Sequence, residues 1–297
     1  MSASREAPLS GVSNSINLSR TLSLRSIFDV VMTAVAGSCI VITLIPLFAV
    51  LSYVAIKGFN RLNLDLFTQL PPAPGQQTGG IGNAITGTFM VVAIAVAIAV
   101  PFGILAAVYL SEFSKGGKLA QGIRFATNVL SGVPSIISGI FAYGIIVVTT
   151  GDFSAVAGGV ALSVLMLPTI VRTADEGLRI VPPDVRWASV GLGASDYQTV
   201  LKVVIPAALP AILTGVTLAV ARAAGETAPL IFTALNSNFW PRGFWEVTPS
   251  LAVLVYNFST SFDEVLQEYA WAASLILVLL VLLTSIISRW ATRNQNY

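Results

Sequence analysis

Six stretches of this chain are long and apolar enough to demand a membrane: residues 30–54, 85–110, 125–148, 155–171, 207–235 and 270–287. A helix needs about 20 apolar residues to cross the roughly 30 Å hydrocarbon layer; the fourth and sixth stretches fall a little short of that, the fourth most. Composition agrees. Charged residues make up 10% of the chain, against about 25% in ordinary soluble domains. The mean hydropathy is +0.82. The prolines and glycines inside the runs do not disqualify them, because neighbouring helices can satisfy the backbone groups they free. A transmembrane β-barrel would show short period-two segments instead. The fold expected is therefore all-α, a polytopic transmembrane bundle of about six spans.

The polar start runs straight into the first apolar stretch without a small-residue cleavage site, so that stretch reads as an uncleaved span. The expected organisation is a polar cytoplasmic leader at 1–26, a first transmembrane helix with an external loop at 27–80, a membrane domain at 81–290 and a cytoplasmic tail at 291–297. Lysine and arginine in the connections set the orientation. Arg5, Arg20, Arg25, Lys115, Lys118, Arg124, Arg172, Arg179, Arg186, Lys202, Arg289 and Arg293 flank one side, and only Lys57, Arg61 and Arg242 the other. Both termini are expected in the cytoplasm, in a multi-pass membrane protein.

Several chemistries are poorly served. The chain has no histidine and one cysteine, which removes the commonest metal ligand, the usual general base and any intrachain disulfide. No metal site is expected, and Cys39, inside an apolar run, reads as packing. Neither His-Glu-x-x-His nor Gly-x-Ser-x-Gly is present, so a membrane enzyme lacks its machinery. A nucleic-acid partner is not expected.

The segment 173–206 is too polar to cross a bilayer and long enough for two short helices. Pro182-Pro183 breaks it, Asp184 is placed to cap a helix over 185–190, and Gly191-Leu192-Gly193 stops that helix. A second amphipathic piece, 196–204, leads to Pro206 and the next span. This loop resembles the coupling-helix motif of ABC importer permeases, which reads Glu-Ala-Ala, three residues, Gly, nine residues, Ile-x-Leu-Pro. Here Trp187-Ala188-Ser189 is followed by Gly193 and then by Val203, Ile205 and Pro206. Trp187 stands in place of the family's glutamate, and Ser189 in place of an alanine.

Three stretches resemble more narrowly the phosphate-importer branch of these permeases. They are Ser131-Gly132-Val133-Pro134-Ser135-Ile136, the segment 191–212, and Ala221-Arg222-Ala223-Ala224-Gly225-Glu226-Thr227-Ala228-Pro229-Leu230. The similarity runs from about Gly80 to the C-terminus and leaves out the first 25 residues. It implies a type I importer permease of the bacterial inner (plasma) membrane, with 81–290 as its transmembrane domain and 173–206 as its coupling loop. It further implies a homologous second permease chain, two ATP-binding subunits and an external phosphate-binding protein. ATP would be hydrolysed by the partner, since no Gly-x-x-x-x-Gly-Lys-Ser/Thr loop is present. The chain itself would bind no cofactor and would not be an enzyme.

Arg222 and Glu226 also stand out on physical grounds. An ionisable group at the centre of a span costs about 2.5–3.5 kcal/mol on insertion scales, and it usually faces a bundle interior or a water path. Four residues apart on a helix, the two share a face and can pair. The planar guanidinium donates to two oxygens of an oxyanion at once, and a neighbouring carboxylate moderates its grip. An ion pair that glues helices together is the competing reading. Gly225, Pro229 and Pro134 are expected helix breaks. Arg172, at the end of the fourth span, is either an interfacial anchor or a second basic residue on the substrate path. A permease for molybdate or sulfate, or a transporter independent of ATP, would share many of these features; the latter leaves the docking loop unexplained.

Overall fold

The computed structural model describes residues 24–73, 75–114 and 116–293, which divide into two units between Ser52 and Tyr53. The first unit consists of the larger part of α1 (Leu24–Phe59). Its apolar side chains are exposed, Ile42 at 67% and Ile45 at 63%, and Cys39 is exposed with them rather than packed. Thr33, Ser38 and Thr43 donate their hydroxyls to carbonyls one turn back, at 2.7–2.8 Å. These three hydroxyls are thereby satisfied within the helix, where lipid offers no partner. Most of the expected leader lies outside the described residues, as do residues 294–297 of the expected tail.

The second unit continues with α2 (Leu64–Thr68), α3 (Gly82–Val108), α4 (Lys118–Gly132), α5 (Ser135–Ala142), α6 (Val148–Thr150) and α7 (Ala155–Ile180). After these come α8 (Pro183–Gly191), α9 (Asp196–Thr199), α10 (Ile205–Ala224), α11 (Ala228–Ile231), α12 (Leu251–Ser259) and α13 (Glu264–Arg293). Three π turns interrupt the regular winding: Tyr109–Phe113 extends α3, Tyr143–Val147 joins α5 to α6, and Val200–Val204 joins α9 to α10. The described residues include no strand. Five helices are long and apolar enough to cross a membrane, and α4 with α5–α6, bent by 108° at Val133-Pro134, makes a sixth if counted as one span.

Two expected span limits need correction. The fourth span does not stop at 171 but continues as α7 to Ile180. Its polar end is amphipathic, with Ala174, Gly177 and Leu178 buried while Glu176 and Arg179 are exposed, so polarity alone ended the reading too early. The fifth span does not run over 207–235. It is Asp196–Ala224, and it passes through Pro206 without a break. Pro206 lies in the first turn of α10, directly after a π turn whose Ile205 N–H reaches back to the Val200 carbonyl. The missing proline donor is absorbed where winding is already irregular. Beyond residue 236 the chain forms α12. Glu268, near the start of α13, accepts from Arg61 at 2.6 Å, and the Tyr269 hydroxyl donates to the Gly79 carbonyl at 3.0 Å.

Lipid tails are as apolar as leucine, so span-to-span contact depends on close packing of small residues rather than on water exclusion. The central core follows that rule, with Ala95, Ala99, Ala161, Ala219 and Ala223 all at most 2% exposed. α7 and α10 run antiparallel, Gly177 against Ala211 and Gly215 against Thr173. A separate cluster at one end joins Ala107, Ala174, Leu178, Val181, Val204 and Ile212, and it is this cluster that seats the docking loop.

Candidate functional site

The docking loop is built from local signals. Pro182 and Pro183 start α8, with Pro183 in its first turn where a missing N–H costs nothing. Asp184 makes no capping hydrogen bond; it lies in the first turn, where its charge still favours the helix dipole. At the other end, Gly193 has φ +89. Its N–H reaches the Val190 carbonyl at 2.9 Å, and the Ala194 N–H reaches Ser189 at 3.2 Å, the paired bonds of a Schellman stop. The motif glycine is thus required by backbone conformation. Ser195 and Gln198 then form a capping box that starts α9, a local signal carried by the Ser-x-x-Gln spacing.

The motif residues divide by exposure. Trp187 is 70% exposed, with Leu192 at 91% and Tyr197 at 70% beside it in the loop; Ala188 and Pro206 are exposed too. Ser189 is half-buried, its Oγ 2.9 Å from Thr199 Oγ1, which ties α8 to α9. Val203 and Ile205 are half-buried, and the fully buried anchor between them is Val204. A cavity of ≈ 330 Å³ lined by Ser189, Leu192, Gly193, Gln198, Lys202 and Val203 opens between the two short helices. Gly193→Ala is expected to cost about 1–2 kcal/mol at this left-handed position and to weaken capture of a docking partner, measured as a higher Kd. An unchanged Kd would mean the turn is not part of the dock.

Arg222 and Glu226 come together, but not along one continuous helix. α10 ends at Ala224, Gly225 is its C-cap, and α11 begins at Ala228. The pair closes across this break at 3.5 Å, with the Arg222 side chain 61% exposed and that of Glu226 17%. At that distance it is a loose ion pair rather than a firm hydrogen bond. The carboxyl end of α10 adds its own negative dipole beside the guanidinium. Pro229 sits downstream of the break, in the first turn of α11. It packs against α5, where the Gly139 α-carbon faces the Pro229 backbone. Pro134, at the 108° bend, is what turns α5 away from α4.

Arg172 is not part of the same site. Thr173 lies level with Gly215 of α10, so Arg222 stands two turns, about 10 Å, further along that helix. Arg172 instead donates to Asn128 at 2.8 Å, in a cavity of ≈ 250 Å³ shared with Arg124, Asp175, Glu176 and Arg179. No group of three or more histidine, cysteine, aspartate or glutamate side chains able to hold a metal is found among the described residues. One ion pair was not anticipated at all: Arg186, next to Trp187, forms a two-pronged bridge to Glu112.

A multi-pass bundle with a two-helix loop held off its end has the fold of an ABC type I importer permease. Two solved structures share it: the MetNI methionine ABC transporter in an inward facing conformation (TM-score 0.59, 22% identity, 73% of this chain and 95% of that one) and a bacterial alginate ABC transporter (0.63, 13%, 90% and 95%). The chain belongs to the family of binding-protein-dependent transport system inner membrane components, whose pattern matches residues 99–296. Within that family it is similar to the phosphate transport system permease protein PstA of Yersinia pestis, 38% identical over 78% of this chain and 79% of that protein. PstA of Haemophilus influenzae is 38% identical over 89% and 94%, and PstA 1 of Mycobacterium tuberculosis H37Rv 35% over 88% and 87%.

Proposed function

We propose that this chain is a transmembrane permease subunit of an ATP-driven inorganic phosphate importer. The observation that carries this reading is Arg222, an exposed guanidinium in the last turn of an apolar span, beside the helix break that ends it, in a chain whose similar relatives are phosphate permeases. Its fork fits two phosphate oxygens. Glu226 and the carboxyl end of α10 reduce the net positive potential there, so the anion is held briefly rather than trapped. The path is completed by a homologous permease chain, with Arg172 as a basic residue nearer the cytoplasm. Pro134, Gly225 and Pro229 set the breaks that leave room for the ion.

Power comes from two ATP-binding subunits, one of which seats the exposed face of α8 and α9. An external phosphate-binding protein delivers the substrate, and both termini of this chain face the cytoplasm. The chain holds no cofactor and catalyses no reaction. Uptake of phosphate into vesicles carrying the full complex, with ATP inside and the binding protein outside, tests this. Uptake without ATP, or uptake of sulfate or molybdate in preference to phosphate, would reject it.

A second test addresses the dock alone. A large aromatic side chain standing clear of its own protein is a candidate anchor, and truncating such an anchor costs about 2 kcal/mol or more of binding energy. Trp187→Ala is therefore expected to weaken capture of the ATP-binding subunit about 30-fold while the purified permease melts unchanged. Trp187→Glu, carrying the residue that related motifs have there, should weaken it as well. Equal affinity for all three would show that Trp187 is not in the interface.

A further inference from the structure

Arg186 and Trp187 are neighbours on α8 and face different ways. Trp187 stands out from the protein, whereas the Arg186 side chain is only 22% exposed and turns inward. Its Nε and Nη2 donate to the two carboxylate oxygens of Glu112 at 3.1 and 2.9 Å. Nη2 also donates to the Leu178 carbonyl at 2.9 Å, and Nη1 to that of Val181. One guanidinium thus links the docking helix, the end of α7 and the π turn that extends α3. Glu112 is 9% exposed and accepts a further bond from the Ser111 hydroxyl at 2.8 Å. The next residue, Phe113, packs its ring 5.3 Å from that of Tyr197 in α9.

The connectivity gives this clasp its meaning. α8 is joined through the chain to α7 and, by way of α9, to α10, but it has no short covalent route to α3. Besides Ala107, which shares the apolar cluster that seats the loop, α3 reaches the docking loop through Glu112–Arg186 and Phe113–Tyr197. The π turn at Tyr109–Phe113 is the local irregularity at which both residues leave α3, and such turns re-aim side chains at functional positions. A bidentate pair with both partners largely shielded is also far firmer than the loose, exposed Arg222–Glu226 contact. We propose that the Glu112–Arg186 pair is a coupling clasp, through which movement of the docking helix is passed to α3 as well as to α7 and α10. Both are positioning residues for transport, and the role rests on the importer reading above. A mere cap for the carboxyl end of α7 would need Arg186 but not Glu112.

The test uses the complete complex with both permease chains, the ATP-binding subunits and the binding protein, reconstituted in vesicles. The quantity read is phosphate imported per ATP hydrolysed, in wild type, Glu112→Gln and Arg186→Lys. Glu112→Gln leaves the bonds from Arg186 to Leu178 and Val181 in place and removes the charge that links them to α3. Both variants are expected to assemble and hydrolyse ATP, with the transport ratio lowered about fivefold or more, the lower end of typical coupling between sites. A wild-type ratio in either assembled variant would overturn the clasp, and so would failure of both to assemble, since the pair would then be a folding element. The wild-type measurement stands apart: if that complex hydrolyses ATP and carries no phosphate, the functional reading itself fails.

Discussion

Arg222→Ala should lower ATP-driven phosphate uptake by about tenfold or more in a complex that still assembles. The estimate follows from the loss of hydrogen bonds to a charged group, worth about 1.5–3 kcal/mol, where 1.4 kcal/mol is tenfold. Removing an arginine from the last turn of a span makes insertion easier rather than harder, so reduced insertion is not the expected cause of any loss. Arg222→Lys keeps the charge but not the fork and should fall between. Glu226→Gln removes the moderating carboxylate and is expected to tighten phosphate retention while slowing turnover. The helix-glue alternative predicts a different pattern, in which Arg222→Ala and Glu226→Gln both lower the melting temperature of the purified complex and uptake per assembled complex stays normal. Normal uptake by Arg222→Ala would remove that residue from the path.

Which parts of this arrangement were legible in the sequence depends on how local their causes are. The docking loop is set by neighbouring residues. Pro183 begins α8, Gly193 must adopt φ +89 to end it, and both are punctuation that can be read directly. The bend at Pro134 and the stop at Gly225 belong to the same class. The limits of α7 were misread because Arg172, Glu176 and Arg179 look like a loop until their spacing is set against buried Ala174 and Leu178. Glu112–Arg186 was invisible for another reason. The partners are far apart in sequence, and their meeting depends on a π turn that no periodicity announces. That Arg172 and Arg222 stand at different levels could not be read from their charge alone. The antiparallel register of α7 and α10 separates their levels, and register is a tertiary property.

The second large effect is expected where α5 crosses the helix break, at Gly139. An added Cβ there would lie 2.6 Å from Pro229 Cα and 2.9 Å from its carbonyl oxygen. Those are backbone atoms, so no side-chain rotation can relieve the overlap. One of the two helices must move. Glycine inside a helix ordinarily costs about 0.5–1 kcal/mol relative to alanine, which means that Gly→Ala at an uncrowded helical site is neutral or stabilising. Gly144, one turn further on in the same segment, has nothing within 4 Å of its added Cβ and supplies that control. Gly139→Ala should reverse the sign, and Gly139→Val should be worse, at about 1–3 kcal/mol for overfilling a packed contact. Because Pro229 follows directly on the break that presents Arg222 and Glu226, displacing it shifts the site as well as the packing. Uptake should therefore fall further for Gly139→Val than loss of assembled complex explains, while Gly144→Ala transports normally. If uptake per assembled complex stays at the wild-type level in Gly139→Val, the α5 contact does not hold the break in place, and the site must be positioned by α10 and α12 without it.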